Sequence, residues 1–203
     1  MNNMTINTED MINSILSSIQ RIDYIKPDDI PNIDLYMDQV TTFMDKHLKS
    51  SKRHPEDKIL TKTMINNYTK NNLLPPPKKK KYSKEHLLVM VFIYYFKGIL
   101  SITDIQALLT PITENFFQTD KRLNMEELYN EVFSLEKSQI ESIKQDILNK
   151  YNISTSTFEN AGEDDKDFLQ LFSFICLLSF DVYVKKQLIE KLVDEIPAKP
   201  QKE

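Results

Sequence analysis

Leu60–His86 reads L-T-K-T-M-I-N-N-Y-T-K-N-N-L-L-P-P-P-K-K-K-K-Y-S-K-E-H, and Phe96–Leu109 completes the stretch as F-K-G-I-L-S-I-T-D-I-Q-A-L-L. Thr61 or Thr63 can cap a helix running to about Asn72, with Met64, Ile65 and Tyr68 at i, i+1 and i+4 as its packing side. Pro75, Pro76 and Pro77 cannot continue it, because proline lacks the amide hydrogen and clashes with the preceding turn. A lysine-tipped turn follows, around which a small β-wing is expected. Ser83 then caps a second helix to about Lys97, with Gly98 as its C-terminal stop. Ser101 with Asp104 opens a short third helix through Leu109.

Charge sets this stretch apart from its surroundings. The formal net charge is -4. From Lys46 to Lys84, however, eleven lysines and one arginine face only Glu56 and Asp57, a local charge of +10 that leaves -14 for the rest. Such a footprint attracts polyanions locally even in a mildly acidic protein.

Outward on the N-terminal side, Thr8 can cap a helix over Thr8–Ile22, with Met11, Ile12, Ile15, Leu16, Ile19 and Ile22 at spacings of three and four. Lys26–Pro31 is a proline-aspartate turn. A helix is predicted from about Asp34 to Leu48, and Ser50–Asp57 is a polar connection. Beyond Pro111 the chain becomes acidic and helical, with one helix over Asn124–Tyr151, an acidic loop over Asn152–Asp167 and a long helix over Phe168–Ile196. The run Phe168–Val184 is interrupted by Gln170, Ser173, Ser179 and Asp181 and is short for a bilayer span, so it reads as a buried core or dimer helix. Cys176 within it reads as a small buried hydrophobe.

The composition excludes several chemistries. Two glycines cannot build a phosphate-cradling loop, and one cysteine cannot form an internal disulfide or a cysteine-based zinc cage. His47, His54 and His86 lack ligand spacing, and Glu163–Asp167 lacks the alternating ligands of a calcium loop. No nucleophile–base arrangement stands out, so no enzyme, cofactor or metal is expected. The N-terminus has no secretory pattern, which fits a cytoplasmic setting.

A helix matches the width of the DNA major groove and can present polar side chains to base edges there. On the Thr61–Asn72 helix the candidates are Thr61, Lys62, Thr63, Asn66, Asn67 and Lys70. Lys78, Lys79, Lys80 and Lys81 would neutralise phosphates as a projecting loop, closed by Tyr82. The same pattern also fits a solvated linker beside an ordinary polar helix face.

In its order of features, this stretch resembles the winged helix-turn-helix of MerR-type transcription regulators. The matching residues are Tyr68, Leu73, Leu74 and Pro75, then Tyr82, Ser83 and Glu85. After them come Gly98, Ser101, Asp104, Ile105, Leu108 and Leu109. Joined to I-P-N-I-D-L-Y-M-D-Q-V at Ile30–Val40, it is similar to an uncharacterised bacterial family with a MerR-like head and a helical tail, known only as a domain of unknown function. The resemblance makes Asp34–Leu48 the first helix of the helix-turn-helix and adds Tyr68 to the candidate DNA-binding set. It departs from the pattern at Asn66 and Asn67, where MerR-type proteins carry an arginine and an aromatic residue.

The expected fold class is thus mainly α, a MerR-like winged helix-turn-helix head with a helical C-terminal tail. The expected domains are an N-terminal helical extension over 1–30, the head over 31–112, and a dimerisation or effector domain over 113–203. The expected function is a transcriptional regulator reading double-stranded DNA as a homodimer, with no membrane partner and the small-molecule effector left open. The alternative is a protein–protein adaptor that keeps the winged-helix fold without DNA binding.

Overall fold

Met37–His47 (α1), Lys62–Lys70 (α2) and Lys84–Phe96 (α3) lie where capping and apolar spacing predict helices. They are followed by Ile102–Phe116 (α4), Met125–Thr155 (α5) and Glu163–Asp194 (α6), so the fold is mainly α. The computed structural model describes residues 25–197 together with Ile12 and residues 14–17. Ile12 and 14–17 are helical; the rest of the expected Thr8–Ile22 helix, with its Thr8 cap, lies outside the described residues.

Thr61 rather than Thr63 caps α2: its side chain accepts the Met64 N–H at 3.1 Å. At the other end Asn72 takes φ 56°, the left-handed conformation that asparagine tolerates. The Leu73 N–H donates to the Tyr68 carbonyl at 2.9 Å and the Asn72 N–H to the Thr69 carbonyl at 3.2 Å. This crossed pair satisfies the last carbonyls of the helix and turns Leu73 and Leu74 into the core.

Strand Leu35–Tyr36 (β1) pairs antiparallel with Lys81–Tyr82 (β2), setting Leu35 opposite Tyr82 and Tyr36 opposite Lys81. The sheet therefore forms between the turn and the residues entering α1. Two expectations change here. Gly98 does not stop α3 in a left-handed conformation, for no glycine has positive φ. Instead the Ile99 and Leu100 N–H groups both bond the Phe96 carbonyl, and Leu100 is buried. Nor does α4 end at Leu109. It continues through Pro111, because Ile105, Leu108, Leu109 and Ile112 all pack on the core. The Thr110 and Thr113 hydroxyls donate to the Gln106 and Leu109 carbonyls beside the interruption.

The chain forms two compact units. Among the described residues the head comprises 25–134 and 188–197, and the tail comprises 135–187 with Ile12 and 14–17. Both differ from the sequence boundaries at 30 and 112, since α5 and α6 each contribute to both. The head is built around α3, whose residues from His86 to Ile93 are all buried. Tyr129 is fully buried, donates to the Ile25 carbonyl at 2.7 Å and packs on Phe92 and Phe133. The tail buries Ile12, Leu16 and Phe174 together, with Ile147, Leu148, Tyr151 and Leu178 half-buried around them.

The long apolar helix begins at Glu163, inside the acidic loop expected over Asn152–Asp167, and within this chain it is not a buried core element. By length and composition α6 could cross a membrane, yet it is largely exposed. Phe168, Phe172, Phe180 and Tyr183 lie open, and Cys176 is exposed rather than buried. Among the described residues, its Phe174 side packs on apolar neighbours within its unit.

Candidate nucleic-acid interface

The four lysines form a tight turn. The Lys81 N–H donates to the Lys78 carbonyl at 3.0 Å, and Lys79 and Lys80 take φ of 51° and 64°. Positive φ at both central residues is the type I′ pattern, which normally selects asparagine and glycine. For side chains with a Cβ, the left-handed conformation costs about 1–2 kcal/mol per residue. Strain of this kind persists only where the surroundings enforce it.

Those surroundings are the sheet below and the histidine behind. Tyr82 is buried beneath the turn, and Lys81 places its ammonium 5.0 Å from the Tyr36 ring across the strand pair. His86, 1% exposed, reaches back to both sides of the loop. Its Nδ1 accepts the Ser83 N–H at 2.9 Å, so the ring hydrogen belongs on Nε2, 3.4 Å from the Pro76 carbonyl. Burial lowers the His86 pKa, against the smaller opposing influences of the Pro76 carbonyl and Asp34. A neutral ring therefore ties the triple-proline segment to the start of α3, with Tyr82 and Phe117 edge-on to it.

On α2, Lys62, Thr63, Asn66, Asn67 and Lys70 are exposed. Thr61 is half-buried and its hydroxyl is engaged as the helix cap. Two candidates leave the surface: Tyr68 and Tyr82 are core residues, and burial raises both phenol pKa values. Their aromatic rings have more to gain from the core than their hydroxyls have from solvent. Lys62 forms an ion pair with Asp38 in the first turn of α1. Both side chains are largely exposed, so the pair contributes little and exchanges easily for another anion.

The start of α1 thereby connects the two candidate parts. Asp38 holds Lys62 at the start of α2, and Tyr36, two residues earlier, meets Lys81 of the turn. Tyr36 was absent from the sequence candidates, since nothing local to it signals pairing with residues forty-five positions on. Elsewhere in the head, Lys97 donates to the Ile59 carbonyl at 2.9 Å and lies over the Tyr94 ring. Burial lowers its pKa. Lys84 pairs with Glu126 at 2.9 Å. Of these, Lys84 belongs to the Lys46–Lys84 stretch, as does Lys52, which pairs with Asp45 at 2.7 Å, so the free positive surface is narrower than the +10 count suggests.

A sequence-family model described as a domain of unknown function (DUF1836) matches residues 25–132, a little over half of the chain. Searches among curated proteins and among solved structures give no match.

Proposed function

The chain belongs to the DUF1836 family, and we propose that its head is a MerR-like winged helix-turn-helix that binds duplex DNA. In this reading α2 enters the major groove with Thr63, Asn66, Asn67 and Lys70, and the turn Lys78–Lys81 grips adjacent phosphates as the wing. The protein acts as a cytoplasmic transcriptional regulator, and paired heads meet the two halves of a two-fold operator. The observation carrying this reading is the lysine turn itself. Two lysines in left-handed backbone, braced by Tyr36, Tyr82 and His86, present their charge in a defined place. A solvated linker has no physical reason to adopt such strain.

Lys62 fits the same scheme. Its exposed pair with Asp38 keeps it in place, and a phosphate can displace the carboxylate at small cost. Asn66 and Asn67 offer both a donor and an acceptor, the combination that matches an adenine edge.

The test is fluorescence anisotropy of the full chain against a pool of duplexes, from about 50 to 200 mM salt. Binding should fall steeply with salt, and replacing Lys78, Lys79, Lys80 and Lys81 by alanine should reduce the log–log slope by up to about 3.6, roughly 0.9 per phosphate contact. No binding by folded protein at the lowest salt rules the proposal out and leaves the adaptor reading. Binding whose salt slope is unchanged in the variant removes the turn from the interface.

A further inference from the structure

The tail leaves one face of α6 uncovered. Phe168 and Phe180 are each 67% exposed, Tyr183 57% and Phe172 52%, and Ile175, Val182 and Val184 are open as well. Phe172, Cys176, Ser179 and Tyr183 follow one another at spacings of four, three and four, the pattern of a helix–helix seam. Aromatic side chains bury about 150–250 Å² each, so these rings and the three aliphatic neighbours leave on the order of 700 Å² of apolar surface open. That is close to the ~800 Å² per partner of a standard specific interface, and larger than most patches on a monomer.

We propose that this face binds the same face of a second copy of the chain, antiparallel, with the two Cys176 side chains at the two-fold axis. Charge decides the direction. On the open face Asp164 and Asp165 precede the apolar run and Lys186 follows it, while Lys185 lies on the Phe174 side and pairs with Asp181. A parallel pair would set carboxylates against carboxylates and ammonium groups against ammonium groups. An antiparallel pair matches each acidic end with the basic end of its partner.

Residue 176 is the midpoint of the run Phe168–Val184. Centring the crossing there brings Asp165 of one copy within one residue of the level of Lys186 of the other, both on the open face, and sets Phe172 level with Phe180. The small side chains of Cys176 and Ser179 near the centre let the two backbones approach. Because the contact is isologous, every favourable pairing occurs twice. A bilayer fits this face less well. Seventeen residues span about 26 Å against a hydrocarbon core of ~30 Å, and Asp181, paired with Lys150 and Lys185, lies within the run. The inference concerns the tail alone and does not depend on DNA binding by the head.

The experiment uses the full chain, without detergent, in light scattering and in copper–phenanthroline oxidation followed by a non-reducing gel. A mass near twice 23.9 kDa is expected, together with a disulfide-linked dimer that Cys176→Ser abolishes on the gel while leaving the mass unchanged. Phe172→Glu combined with Tyr183→Glu should weaken association at least about 100-fold. Its far-UV circular dichroism should not change, because both rings are exposed in the single chain. Lys186→Glu should weaken the dimer, and adding Asp165→Lys should restore it. A monomer at all micromolar concentrations overturns the proposal, as does a dimer that survives the double glutamate variant or fails to cross-link through Cys176. So does partition into phosphatidylcholine–phosphatidylglycerol vesicles by a chain that is monomeric without them, which would assign the face to a membrane.

Discussion

Leu87–Ile93 in α3 and Phe168–Val184 in α6 are both mainly apolar runs, yet the first is buried on every side and the second is open along one face. In the head, side chains from α1, α2, α4 and α5 enclose α3. In the tail, among the described residues, α6 packs its Phe174 side on apolar neighbours and leaves the Phe172 and Tyr183 side exposed. Hydrophobicity states that a surface must be covered. It does not state by what. A helix apolar all round is enclosed by its own chain, by another chain or by lipid, and local sequence is nearly the same in the three cases. The difference also separates how each unit responds to change, because loss in the head falls on packed contacts and loss in the tail falls on surface.

The sharpest test of that contrast is truncation of one aromatic in each unit. Tyr129→Ala removes a fully buried ring and the hydrogen bond to Ile25, and should cost about 3–5 kcal/mol in urea denaturation. Phe172→Ala, measured in the monomer, should stay within about 0.5 kcal/mol, as surface substitutions do. Equal losses at the two sites would end the distinction between a packed head and an open tail face.

Next in size is the pH response of the head. Burial holds the His86 pKa below its ordinary value of 6.5, so above that pH the ring is neutral whether the chain is folded or not. As pH falls through 6.5, the unfolded chain takes up a proton that the folded head refuses. Stability should therefore drop by up to about 1.4 kcal/mol per pH unit, until the lowered folded pKa is reached. Glu85, whose pKa burial raises, works in the opposite sense at lower pH, with stability falling as pH rises through the ordinary carboxylate range. Comparing His86→Gln with the parent isolates the histidine. A wild-type slope no steeper than that of the variant between pH 6.5 and 5 would show that His86 is not held neutral.

Smaller effects probe the basic turn and its neighbour. Lys80→Gly relieves a left-handed lysine but adds chain entropy to the unfolded state, for a net gain of about 0.5 kcal/mol in thermal or urea unfolding. A loss of stability would mean that the lysine side chain contributes more than its backbone strain costs. Asp38→Asn should change stability by less than about 1 kcal/mol, yet raise DNA affinity by freeing Lys62. Unchanged affinity in a chain that binds DNA would place Lys62 outside the interface.

The helices of the head were legible because their signals are local. Thr61, Ser83 and Ser101 mark N-termini, Pro75–Pro77 marks a stop, and apolar spacing marks the inner faces. The departures came from packing. Pro111 is carried inside α4 because the side chains on both sides of it share one core. Gly98 ends nothing by its own conformation, as Leu100 entering the core turns the chain there. In the candidate interface the lysines, threonines and asparagines were legible as polar types at helical spacing. Tyr36 was not, and neither was the withdrawal of Tyr68 and Tyr82, since strand pairing and burial depend on residues far along the chain.

By itself the amino-acid sequence determined the starts of α2, α3 and α4, the proline stop, the concentration of positive charge in Lys46–Lys84 and the apolar runs that need cover. Those follow from backbone sterics, capping and side-chain chemistry within a few residues. Only the tertiary structure decided that Lys79 and Lys80 are held in left-handed backbone above a buried tyrosine and histidine, that Lys62 is held by Asp38, and that one apolar helix is enclosed while the other is open. Each of those depends on which distant surfaces meet, and that is set by the packing of the whole chain.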